Sequence, residues 1–168
     1  MLVATMTMTA TGKDDLASRA RELLRQQHQG VLSTISVHRA GYPYGSLTPY
    51  ALSGRGAPVI LISALAAHTQ NLAADPRASL FVAALDESLD PQAGTRISLL
   101  GRFARVPAAE AADARARYTS RLPRAAANSQ TPDFQLWEMA VEAVRLVAGF
   151  GQIGWLDGAD ILAPPPDA

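Results

Sequence analysis

From Asp14 onward, Leu16, Ala20, Leu23 and Leu24 recur at three- and four-residue intervals, the spacing of one helical face. Asp14 and Asp15 offer an N-cap and an acidic first turn, and Gly30 a C-terminal stop. This pattern predicts an amphipathic helix of about four turns, preceded by a flexible arm over residues 1–13. Beyond Gly30 the period changes. Residues 30–37, GVLSTISV, and 42–53, YPYGSLTPYALS, read as strands joined by a turn at Ala40–Gly41. Pro43 and Pro49 place the second of these at a sheet edge or a bulge. PVILIS (58–63), RASLFVAAL (77–85) and RISLLGRFARV (96–106) read as further strands. A short helical turn fits residues 68–75, ended by Pro76, and a longer helix fits 108–121. Residues 122–133 read as a loop and Phe134–Met139 as one more helical turn. Residues 142–157 read as a final strand pair, or as a strand and loop. The tail, 161–168, reads as disordered, which leaves a single domain over 14–160.

Composition narrows the function classes. The chain has 168 residues, no cysteine, and 15 basic against 15 acidic residues. Disulfides, thiolate metal sites and a cysteine nucleophile are excluded. A formal charge of zero argues against a nucleic-acid module that works through global charge. No apolar run is long enough for a spanning helix, and the first residues lack the pattern of a signal peptide. A cytoplasmic protein is the expectation. Three widely spaced histidines, with no metal-ligand spacing, suggest no metal site. There is no GxSxG motif and no Walker loop, and Lys13 is the only lysine.

Three stretches hold candidate chemistry. In LISALAAHTQNLAADPRASL (61–80) a buried strand runs into a helical turn, whose free N–H groups suit an anion. Ser63, His68, Thr69 and Asn71 stand there. The same residues equally fit a helix cap and backbone partners with no ligand. Strand alternation puts Arg96, Ser98, Leu100 and Arg102 on one face, opposite Ile97, Leu99 and Phe103. A guanidinium there suits a carboxylate or phosphate, unless the face is solvated or Arg102 pairs with an acid. GFGQIGW (149–155) sets Phe150 and Trp155 among three glycines. It reads either as a flat surface for a ring or as a glycine-rich bulge with two core aromatics.

Taken together, GYPYGSLTPYAL (41–52), SALAAHTQNLAADPRASL (63–80), RISLLG (96–101) and GFGQIGWL (149–156) resemble the FMN-binding split barrels related to pyridoxamine 5′-phosphate oxidase. The resemblance spans residues 14–158 and is closest to the haem-utilisation branch. It implies a mainly β fold with flanking helices, a six-stranded antiparallel split barrel. It also implies a homodimer with a cofactor at the interface, near Phe150 and Trp155. The flavin oxidases hold the FMN phosphate with basic residues at positions matching Ser46, Ala51, Ala67 and His68. Only His68 keeps basic character here. Ser46, Thr48, Ser63, His68, Thr69, Asn71, Arg96 and Trp155 are the cofactor-binding residues the resemblance implies. FMN, in an oxidoreductase, is the first cofactor it implies; haem is the second; a cofactor-free binding module is the third. Haem-branch proteins supply an iron ligand from their C-terminal region, and no histidine follows His68.

Overall fold

The computed structural model describes residues 10–84, 94–125, 131–148 and 152–162. Helix α1 (Ala10–Gln26) leads into strands β1 (Gln29–Ile35), β2 (Pro43–Pro49), β3 (Ala51–Leu52) and β4 (Pro58–Ser63). Helix α2 (Ala67–Ala74) precedes β5 (Arg77–Ala83) and β6 (Arg96–Arg105). Helix α3 (Ala111–Arg121) and a 3₁₀ turn (Pro123–Ala125) lead to β7 (Phe134–Val147), β8 (Ile153–Asp157) and α4 (Gly158–Ile161).

The eight strands among the described residues form one antiparallel sheet. Seven follow the order β2-β1-β5-β6-β7-β4-β3, and β8 pairs with β7 off that path. β2 and β3 stand at opposite ends of the path, yet Tyr50 alone separates them in the chain. Only a sheet curled back on itself can satisfy both facts. The product is a split barrel, interrupted where Pro49 withholds a ladder donor. The fold class implied by the resemblance therefore holds, with eight strands among the described residues in place of six. β2 is an edge strand, as its prolines require.

The core explains the strand patterns. Leu16, Leu23 and Leu24 of α1 pack on Leu32, Ile60, Leu80, Leu99, Met139 and Val144 inside the barrel. Val59 and Leu61, on the other face of β4, pack with Leu136 and with Ala114 and Tyr118 of α3. β4 is thus buried on both faces, which is why PVILIS is continuously apolar.

Four expectations need correction. Helix α1 starts at Ala10, not Asp14, so residues 10–13 belong to the helix and Asp14 does not cap it. Its first turn is held by Lys13 Nζ, 2.8 Å from Asp160, a contact between chain ends that local pattern cannot show. Gly30 is not a helix stop: it lies in β1, where an added Cβ would sit 2.7 Å from the Phe81 carbonyl oxygen. Phe134–Met139 is strand, because pairing with β4 and β6 overrides the helix propensity of Leu, Glu and Met. Ile161 is not disordered: it is buried in α4. Residues 1–9, 85–93 (with Leu85 of the expected strand), 126–130, 149–151 (with Phe150) and 163–168 lie outside the described residues. No described helix is long and apolar enough to cross a membrane.

Candidate functional site

The β4–α2 junction is tied together by its own polar side chains. Ser63 Oγ donates to Asp133 Oδ2 at 2.8 Å and accepts the Leu65 N–H at 3.2 Å. Thr69 Oγ1 donates to the Ser63 carbonyl at 2.6 Å. Asn71 is buried; its Oδ1 accepts the Val37 N–H at 3.0 Å and its Nδ2 donates to Thr34 Oγ1 at 2.9 Å. The N-cap of α2 is Ala66, which supplies no side-chain bond. Burial pushes the half-buried His68 imidazole below its ordinary range, toward the neutral form. No residue from 63 to 71 then carries a formal charge near neutral pH. An FMN phosphate would meet backbone N–H groups there without the cationic partners that make such bonds strong. On β2, Ser46 is half-buried opposite Leu32, and the buried Thr48 donates to the Ser46 carbonyl at 3.4 Å. The structure thus joins Ser63 and Thr69 with Asp133 in one bonded group, and ties Asn71 separately to Thr34 and Val37. Those partners are distant in sequence, and nothing local signals them.

The face of the sheet turned away from the core is different. Register aligns Leu47, Val31, Phe81, Ser98, Arg145 and Trp155 in one row across six strands. At roughly 4.8 Å between strands, the row runs about 24 Å. Beside it, Ala83, Arg96, Val147 and Ile153 form a second row, and Leu100 stands on the other flank. Leu47 is 69% exposed and Trp155 57%; Val31, Phe81, Leu100 and Ile153 are also exposed. The alternation expected of β6 is present, with Ile97, Leu99 and Phe103 buried opposite Arg96, Ser98 and Leu100. A bulge at Leu100/Gly101 against β7 shifts the register along that face. Arg96 Nη1 donates to the Gly94 carbonyl at 3.2 Å, so its head is steered along the strand end. Arg102 pairs with Glu142 at 3.1 Å, the acid partner that sequence reasoning left open. The Arg145 guanidinium lies over the Trp155 ring, 5.6 Å from its centroid. Sequence reasoning missed Leu47, Val31, Phe81 and Arg145, because only strand register brings them beside Arg96 and Trp155. Among the described residues, no cluster of three or more His, Asp or Glu is placed to hold a metal ion.

Known proteins share this architecture. A chloroplastic protein of Arabidopsis thaliana named non-canonical heme oxygenase HOZ is 34% identical over 129 residues, 77% of this chain. The chain spans 39% of that relative's length. A heme binding protein from Mycobacterium smegmatis superposes with a TM-score of 0.80 at 32% identity, covering 94% of this chain and 62% of the other. A Clostridium acetobutylicum protein of the pyridoxinephosphate oxidase family, related to general stress protein 26, superposes with a TM-score of 0.65 at 12% identity. That pair covers 88% of this chain and 98% of the other, and it shows the shared fold alone. The model of the CREG β-barrel family matches residues 11–162, from α1 through α4 and every strand between them, and the chain belongs to that family.

Proposed function

We propose that the chain is a haem-binding protein that acts as a homodimer, with the outer sheet face as its binding surface. The observation that carries this reading is the row from Leu47 to Trp155, apolar along one half and cationic at Arg145, with Arg96 alongside. Such a face suits a large planar ligand with an anionic rim. Phe81, Leu100 and Trp155 would lie against the ring, and Arg96 and Arg145 would meet the propionates. The likeness to a heme binding protein and to a heme oxygenase supports haem over FMN. Residues 63–71 carry no cation of their own to pair with an FMN phosphate, which also favours haem. None of the residues in the two rows is His, Met, Cys or Tyr, so this face would hold haem by its plane and rim and not by its iron. Bound haem would supply one-electron and oxygen chemistry; the protein would supply placement and charge.

Titration of the purified chain with haemin tests the reading. A saturable absorption band near ~400 nm is expected, whose position belongs to the cofactor. Arg96→Met keeps the stem and removes the charge. This variant should fold and dimerise, yet bind haemin at least several-fold more weakly. Equal binding by the variant would remove Arg96 from the site. A bound flavin absorbing near ~450 nm in place of haem would restore the FMN reading.

A further inference from the structure

A second cleft lies away from the outer face, between the tip of the β1–β2 hairpin and α2. Its cavity volume is about 360 Å³, within the range of roughly 300–1,000 Å³ typical of small-molecule sites. The hairpin tip is stiff. The Ser36 N–H donates to the Tyr42 carbonyl at 2.8 Å, the Tyr42 N–H to the Arg39 carbonyl at 3.0 Å, and the Arg39 N–H to Ser36 Oγ at 3.0 Å. The buried Asn71 bolts this loop to α2 through Val37 and Thr34. The cleft is therefore formed before any ligand arrives.

Its lining is chemically one-sided. Arg39, His38, Tyr42 and Tyr44 converge on it, Gln70 edges it from α2, and none of its lining residues is acidic. Among the described residues, the Arg39 guanidinium, the His38 imidazole and both phenol hydroxyls make no hydrogen bond or ion pair. Tyr42 is 70% exposed and Tyr44 41%, so both rings are open to a ligand. An arginine fork and imidazole beside two flat rings match an oxyanion carried on an aromatic ring. We propose that this cleft is a second binding site, for a small aromatic ligand bearing a carboxylate or phosphate.

The test is an amide NMR titration of the full chain with salicylate and, separately, phenyl phosphate, with inorganic phosphate as reference. Saturating shifts at millimolar ligand are expected in residues 36–44 and 67–71, and the tighter probe identifies the head group. Arg39→Gln and Tyr42→Ala, both on the exposed tip, should each weaken binding by about tenfold, a factor well outside titration error. Arg96→Met on the outer face should leave it unchanged. The proposal is overturned if neither aromatic probe saturates, if both tip variants bind as the parent does, or if inorganic phosphate binds as tightly as the aromatic probes.

Discussion

Arg121 ties three distant segments with one side chain. Its Nη2 lies 2.8, 2.7 and 2.7 Å from the carbonyl oxygens of Leu24, Arg25 and Gln27 and shares its two hydrogens among them, closing the C-terminal end of α1 from α3. Its guanidinium also lies 5.8 Å from the Tyr50 ring centroid, and the Tyr50 hydroxyl donates to the Leu24 carbonyl at 3.0 Å. Burial pushes Arg121 down and Tyr50 up, and each partly offsets the other. Arg121→Met keeps the stem but leaves those carbonyls without this donor. A loss of about 2 kcal/mol is expected in urea unfolding, from the usual cost of orphaned polar groups. His68 makes a pH-dependent prediction at the same scale. Burial lowers its folded-state pKa below 6.5. The unfolded chain then takes up a proton first on acidification. Stability from this group is complete above 6.5 and declines as pH falls toward the lowered folded-state value. His68→Gln should flatten the unfolding midpoint between pH 7 and 5; an unchanged slope would show that His68 is not the source.

Among the elements, α1 separates the weight of burial from that of charge. Leu24 is 1% exposed in the main core, while Lys13 bridges to Asp157 and Asp160 at the surface. Leu24→Ala should cost about 3 kcal/mol, through lost transfer energy and a cavity. Lys13→Met should cost far less than that, because solvent screens exposed pairs. Finding the two costs equal would mean that the link to α4, not the core, holds α1 in place. The β6–β7 bulge has a comparable single point of failure. A Cβ on Gly101 would overlap the Ala140 carbonyl oxygen. Gly101→Ala should therefore force β6 and β7 apart and lower the unfolding midpoint more than Gly45→Ala, where the nearest atom is a Val31 side-chain carbon at 3.6 Å.

At the scale of the whole molecule, the proposed homodimer depends on the outer face. Leu47, Val31, Phe81, Leu100, Ile153 and Trp155 leave a broad apolar surface that folding of one chain does not cover. A second copy placed by two-fold symmetry would bury the same patch on both sides. Leu47→Asp puts a charge on that patch at a residue 69% exposed in the single chain, so folding should survive. Sedimentation is expected to give the mass of two chains for the parent and of one for Leu47→Asp. A parent that sediments as one chain would remove the dimer, and with it the shared haem surface.

What the sequence determined by itself is the set of local elements. Apolar residues at helical spacing from Leu16 to Leu24 placed α1, the prolines at 43 and 49 placed an edge strand, and continuous burial marked β4. Alternation also assigned the two faces of β6 correctly, because a strand's side chains must point in opposite directions whatever it pairs with. The residues around Ser63 and Arg96 were legible as polar groups on otherwise apolar segments. Their partners were not. Asp133 reaches Ser63 and Thr34 reaches Asn71 across separations of 70 and 37 residues, which no local rule encodes. Phe134–Met139 reads as helix alone and becomes strand only between β4 and β6. The row from Leu47 to Trp155 exists only because six strands share one register. Tertiary structure decided these features because pairing between strands, unlike the periodicity within one, depends on chain segments that meet only after the sheet has curled closed.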